Sequence, residues 1–179
     1  THKLGTLRIT QKSGKFIAQI AVEAEQKAMA GSGVMGVDLG ILCPAVCCTN
    51  SGKVKFVGNG RKHKFIRRRF KAKRKKLGKA KKLRAIRKLH NKEQRIMRDI
   101  DHKLSREIIN FAVQNNVGTI KLEKLANIRR TTRTSRKNNH SLHTWSFYRL
   151  ASYIEYKAKF LGIRVEYVNP AYTSQTCPV

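Results

Sequence analysis

Apolar and polar positions along the chain predict its elements in order. Leu4 to Thr10 and Phe16 to Val22 read as two short strands joined by the turn Gln11-Lys12-Ser13-Gly14. A hairpin this small is marginally stable alone, so it reads as the end of a preceding β domain. Glu25 to Gly33, rich in small residues and closing on Gly-Ser-Gly, reads as a linker. Val34 to Asp38, Pro44 to Thr49 and Val54 to Val57 follow, with Asn50-Ser51-Gly52-Lys53 as a tight turn. They predict a three-stranded antiparallel meander with its first strand buried. Leu83, Ile86, Leu89, Ile96, Ile100, Leu104, Ile108 and Phe111 then recur at spacings of three, four or seven. This period predicts one long helix from about Lys79 to Asn116, divided from an earlier helix at Gly78 and closed by Asn115-Asn116. Val117 to Glu123 alternates as a strand, and residues 124 to 141 have no apolar period and read as a mobile loop. A helix from about Trp145 to Leu161 turns Leu150, Ile154, Ala158 and Leu161 inward and stops at Gly162. Ile163 to Val168 is the last strand. The order β-β-β-α-β-α-β defines a mixed α/β domain with a basic helical insertion after its third strand.

Charge selects the partner. Forty Lys and Arg against ten Asp and Glu give the 179 residues a net charge of +30, while a 40% hydrophobic content is that of a globular chain. Self-repulsion on this scale is relieved by a polyanion, and nucleic acid is the natural one. The competing polyanion is a membrane surface, but no long uncharged apolar run, lipidation signal or signal peptide is present. The segment Arg61 to Arg98 holds 20 of the 40 basic residues. A charged helix is often merely solvated, but an excess this lopsided favours phosphate contact. Arg67, Arg68, Arg69, Lys73, Arg74, Lys75 and Lys76 are the expected nucleic-acid contacts. Neutralising six phosphates would give a salt slope on the order of −5. Cys43, Cys47, Cys48 and Cys177 do not form a disulfide framework, which fits a reducing cytoplasmic, nucleoid-associated setting.

Acids are scarce, so their positions are informative. Asp38 ends the strand expected at the sheet centre, and Glu123 ends the strand predicted to lie parallel beside it. Two adjacent carboxylates repel and raise each other's pKa unless a cation sits between them. A pair of Mg²⁺ or Mn²⁺ ions would do this, and would polarise a phosphate and activate water. Either acid alone is more simply a turn or solvated residue. Together, at the ends of neighbouring strands in so basic a chain, they favour the metal reading.

The same residues carry a family resemblance. Gly36-Val37-Asp38-Leu39-Gly40 resembles the first RuvC motif of the TnpB-type transposon-encoded nucleases, relatives of type V CRISPR effectors. Ile120-Lys121-Leu122-Glu123-Lys124-Leu125 resembles their second motif, and Asp101-His102-Lys103-Leu104-Ser105 resembles their Asn-His-Lys-x-Ser helix segment. The stretch from Trp145 to Ala158, with Val168-Asn169-Pro170-Ala171-Tyr172-Thr173-Ser174-Gln175-Thr176-Cys177, is similar to their approach to a zinc ribbon. The resemblance implies an RNase H-like (RuvC) fold, preceded over residues 1–30 by the last hairpin of a wedge-like β-barrel domain and a linker. It implies catalytic metal ligation by Asp38 and Glu123 and zinc ligation by Cys177. It further implies a guide RNA that pairs with target DNA, and no small-molecule substrate. The family's third acid and the remaining zinc ligands have no counterpart among the 179 residues, so this piece is expected to bind metal weakly and cut poorly or not at all.

Three functional readings stay open on these grounds: an RNA-guided DNA endonuclease, an inactive nucleic-acid-binding relative, and a conventional acidic-triad transposase. Other residues carry weaker signals. His102 reads as structural. His140 and His143 lack metal-ligand companions at suitable spacing. The Cys43, Cys47, Cys48 cluster favours small apolar packing over metal binding. Trp145, Phe147 and Tyr148 are expected to anchor a helix start to the core, and Tyr172, Thr173 and Ser174 to reach the site in support. Nothing supports covalent nucleophilic catalysis or a Gly-rich nucleotide loop.

Overall fold

A computed structural model describes residues 2–12, 14–25, 31–125 and 142–169. Strands β1 (His2–Lys12) and β2 (Lys15–Ala24) pair antiparallel in a sheet of their own. Gly14 makes the turn at φ 75°, a left-handed conformation that favours glycine. The register sets Leu4 opposite Val22 and Leu7 opposite Ile20, which gives one strongly apolar face. Leu4, Leu7, Ile9, Phe16, Ile20 and Val22 are all exposed on it.

The second sheet has the order β5-β4-β3-β6-β7. β3 (Gly33–Asp38), β4 (Ala45–Thr49) and β5 (Val54–Val57) form the antiparallel meander that the pattern predicts. β6 (Val117–Glu123) lies parallel to β3, and β7 (Arg164–Val168) parallel to β6. Parallel neighbours need crossover connections, and helices supply both. The central strands alternate in burial. Met35, Val37, Ile120 and Leu122 point to a covered face, while Gly36, Asp38 and Lys121 point to an exposed one. The covered face packs on Ile108, Ile109 and Ala112 of α3 (Lys92–Gln114) and on Leu150, Ile154 and Ala158 of α4 (Phe147–Phe160).

The single long helix expected from Lys79 to Asn116 is instead broken. α1 (Gly60–Lys79) runs through Gly78 and ends at Ala80, α2 (Leu83–Leu89) is a seven-residue piece, and α3 begins at Lys92. Lys81 at φ 51° and His90 at φ 23° make the turns. These breaks fold the basic segment back on itself. Glu93 at the start of α3 receives Arg74 of α1 at 2.6 Å and Arg67 at 3.7 Å. Leu83, expected to face inward, is exposed at the start of α2, because the apolar phase resets at each turn.

A buried polar seam joins α3 to α4. Asp101 accepts from Arg149 Nε at 2.7 Å, with Arg149 Nη2 at 2.6 Å from the same oxygen. Lys157 donates at 2.6 Å both to the His102 carbonyl and to Ser105 Oγ. The His102 ring stacks on Tyr153 with centroids 4.0 Å apart. The seam uses the Asp-His-Lys-x-Ser segment for helix packing, and His102 belongs to it.

Candidate metal centre and nucleic-acid interface

The parallel register pairs Val37 with Leu122, so the next step along both strands brings Asp38 beside Glu123. Both side chains stand on the exposed face, at the carboxyl ends of the two central strands. Burial raises the Glu123 carboxyl above its usual pKa, and the neighbouring Asp38 charge adds to the rise. β6 is locked past this point, because Lys124 donates to the Val168 carbonyl at 2.9 Å. An oxygen-only, doubly anionic and partly desolvated pair suits a hard divalent cation better than it suits water alone. Among the described residues, no group of three His, Cys, Asp or Glu side chains is placed to hold a metal ion.

The loop after Asp38 is tied to the basic helices. Gly40 N donates to the Pro44 carbonyl at 3.3 Å, and Gly60 N at the start of α1 donates to the Leu42 carbonyl at 2.9 Å. A side chain on Gly60 would collide with the Ile41 and Leu42 carbonyls. One on Gly40 would come within 2.7 Å of the Cys43 carbonyl. Asn59 caps α1, its side chain accepting from Arg61 N at 2.9 Å and Lys62 N at 3.3 Å. The glycines therefore let α1 spring from the same loop that closes the Asp38 strand.

Of the seven basic residues expected on nucleic acid, Arg68, Arg69, Lys73, Arg74, Lys75 and Lys76 are exposed along α1. Arg67 is half-buried, and Arg67 and Arg74 share Glu93. Only one acid meets this helix in an ion pair among the described residues, so most of its charge faces outward uncompensated. His63, half-buried in α1, is a residue the pattern did not single out. Burial lowers its pKa, the Arg67 and Lys62 charges lower it further, and Asp101 opposes them.

The remaining candidates divide. Cys47 is buried, and burial pushes its thiol up to about 12, as for a small apolar core residue. Cys43 is half-buried and donates to the Ala45 carbonyl at 3.2 Å, whereas Cys48 is exposed rather than packed. Trp145 and Phe147 pack against the core with ring centroids 5.1 Å apart. Tyr148 does not anchor the helix; it is 80% exposed, because its position in the first turn of α4 faces away from the sheet. His143 is exposed. His140, Tyr172, Thr173, Ser174, Cys177 and nearly all of the expected loop lie outside the described residues.

Comparison with known proteins agrees with this architecture. Residues 18–129 match the OrfB_IS605 family model, described as a probable transposase, and residues 147–179 match the Cas12f1-like TNB domain. The chain belongs to the OrfB_IS605 transposase family and is a relative of TnpB-type proteins and type V effectors. The TnpB-like protein MJ0751 of Methanocaldococcus jannaschii is 40% identical over 117 residues, covering 64% of this chain and 42% of the relative. The CRISPR-associated endodeoxyribonuclease Cas12f1 of Syntrophomonas palmitatica is 31% identical over 158 residues, covering 80% of this chain and 31% of the relative. A Cas12f1–sgRNA–target DNA complex contains a similar fold, with a TM-score of 0.66 at 24% identity over 96% of this chain and 44% of that one. The chain thus spans less than half the length of each of these relatives. Among the described residues no helix is long and apolar enough to cross a membrane.

Proposed function

We propose that this chain forms part of the nuclease centre of an RNA-guided DNA endonuclease, an RNase H-like (RuvC-type) domain in which Asp38 and Glu123 hold Mg²⁺ or Mn²⁺. The observation that carries the reading is the pairing of the two carboxylates at the ends of adjacent parallel strands on the exposed sheet face. Such ions, when bound, polarise a phosphodiester and lower the pKa of water for in-line attack. Asp38 and Glu123 supply the negative charge that retains a divalent cation. Burial and the Asp38 charge raise the Glu123 pKa when no cation is bound, and a bound cation would oppose that rise.

Arg67, Arg68, Arg69, Lys73, Arg74, Lys75 and Lys76 contact the phosphate backbone of a guide RNA or of its duplex with target DNA. Phosphate contacts position a nucleic acid without reading its sequence, which suits a protein whose specificity comes from base pairing. The exposed, largely uncompensated charge of α1 supports this assignment. So does the fold shared with a Cas12f1 that is seen in complex with sgRNA and target DNA. Residues 1–30 belong to a separate β domain, whose partner strands would cover the apolar face of the β1–β2 hairpin. Residues 31–179 belong to the nuclease domain, with Cys177 as a zinc ligand.

The test, made on the full-length protein, is co-purification and sequencing of bound RNA, followed by cleavage of matching DNA in Mg²⁺. RNA-dependent cutting that disappears in both Asp38→Ala and Glu123→Ala is the expected result. Cutting that survives either substitution removes the site assignment. Strand joining without RNA identifies a conventional transposase instead.

A further inference from the structure

A small recess, lined mostly by apolar surface but flanked by basic side chains, opens between the loop after β3, the first turns of α1, Met97 near the start of α3 and the residues before α4. Its floor includes Gly60, and its walls carry His63, Lys64 and Arg67 on one side and Trp145 and Ser146 on the other. The cavity volume is about 30 Å³. On a measure where one water needs roughly 10–15 Å³, that is room for about two oxygens and too little for a base or a sugar.

Among the described residues the recess is lined by two cations, Lys64 and Arg67, and by no acid. Asp101 is engaged by Arg149 through two nitrogens at 2.7 and 2.6 Å. Glu93 closes on Arg74 at 2.6 Å and leaves Arg67 at 3.7 Å, too far for a hydrogen bond. Arg67 is thus a half-buried cation whose charge partner among the described residues, Glu93, stands beyond hydrogen-bond distance, and Lys64 adds a second cation beside it. Two cations side by side at a recess attract an anion, and a phosphate matches the planar fork of a guanidinium.

We propose that this recess is a subsite for a single phosphate of a nucleic-acid backbone, held by Lys64 and Arg67 with His63 and Ser146 beside them. The inference rests on the nucleic-acid-binding reading above and deepens it. The recess borders Gly40, two residues beyond Asp38, so a phosphate there would fix the nucleic-acid strand relative to the loop that follows one of the two carboxylates. The exposed cations farther along α1 would instead attract nucleic acid without fixing its register. Burial lowers the proton affinity of both His63 and Arg67, and a bound anion would reverse that effect.

Trp145 is the only tryptophan in the chain and lines the recess, so its fluorescence reports on this site alone. The experiment titrates the protein with inorganic phosphate and with a short labelled oligonucleotide, following Trp145 emission and, independently, the anisotropy of the label. A saturable Trp145 change with both ligands is expected. Lys64→Gln and Arg67→Gln should each weaken the phosphate response at least fivefold and reduce the salt slope of oligonucleotide binding by about one. Lys103→Gln, an exposed change on α3, should leave the phosphate response unaltered. Lys64 makes no ion pair among the described residues, so its variant remains informative even if Arg67→Gln unfolds. Oligonucleotide binding with silent Trp145 emission, or with wild-type phosphate affinity in the Lys64 variant, overturns the subsite and leaves nucleic-acid binding intact. No oligonucleotide binding at all overturns both.

Discussion

Asp38 and Glu123 close adjacent parallel strands at the same level of the sheet, one residue beyond the Val37–Leu122 pair and on the face opposite the helices. The sheet core thus fixes the backbone beneath two carboxylates whose side chains repel. Val37 and Leu122 are buried under the helices, so the acids cannot move apart without disturbing packed strands. This arrangement places an electrostatic penalty at one defined point, and a divalent cation bound there would remove it.

The first consequence is a pH- and metal-dependent stability. Glu123 has a folded pKa above its ordinary 4.5. As pH falls through the raised value toward 4.5, the native state takes up the proton first and stability rises; above the raised value the penalty is fully present. Glu123→Gln should therefore raise the melting temperature of the metal-free protein at neutral pH. Added Mg²⁺ should raise that of the wild type and leave the variant unmoved, as read by scanning calorimetry.

His63 titrates with the opposite sign. Its folded pKa is lowered from 6.5 by burial first, and that of His102 is lowered as well. Their contribution to stability is complete above 6.5 and is lost as pH falls from there through the lower folded values. His63→Gln should flatten part of this slope and leave the His102 share, which urea denaturation between pH 5 and 7 can separate.

Arg149→Ala should destabilise the fold by about 3 kcal/mol, the lower end of the range for removing one partner of a buried ion pair. Asp101 is 1% exposed and would be left without its counter-charge, while the part-exposure of Arg149 lets water limit the loss. Adding Asp101→Asn should recover part of the stability in a double-mutant cycle.

Gly60→Ala should cost on the order of 1–3 kcal/mol, as overpacking does. The new methyl group meets the Ile41 and Leu42 carbonyls rather than a flexible side chain. The change should also weaken nucleic-acid binding, because α1 must shift relative to the Asp38 loop. Gly78→Ala, on the same helix with open space around it, should leave nucleic-acid binding unaffected and, if anything, stabilise the fold by up to about 1 kcal/mol.

Much of this was legible in the sequence. The apolar runs ending in Asp38 and Glu123 mark two buried central strands, and their parallel pairing follows from a helical connection between them. The breaks at Lys81 and His90 were not legible. Basic residues continue through both turns, no proline marks them, and the turn-forming residues are ordinary Lys and His in left-handed backbone. A period of three and four also survives a phase reset when the next helix begins with leucine, which is how Leu83 reads as inward. The Asp101–Arg149 pair spans 48 positions, and only the packing of α3 on α4 brings it together. His63 and Gly60 carry no motif. Their significance comes from the loop that packs against them.

The most direct measurement is a Mn²⁺ titration of the wild-type protein, Asp38→Asn and Glu123→Gln, followed by electron paramagnetic resonance of the free ion. Saturable Mn²⁺ uptake by the wild type, weakened at least tenfold in both variants, is the result expected if the two carboxylates share a metal. Uptake of equal strength in all three proteins, or loss in only one variant, would show that Asp38 and Glu123 do not form a joint site.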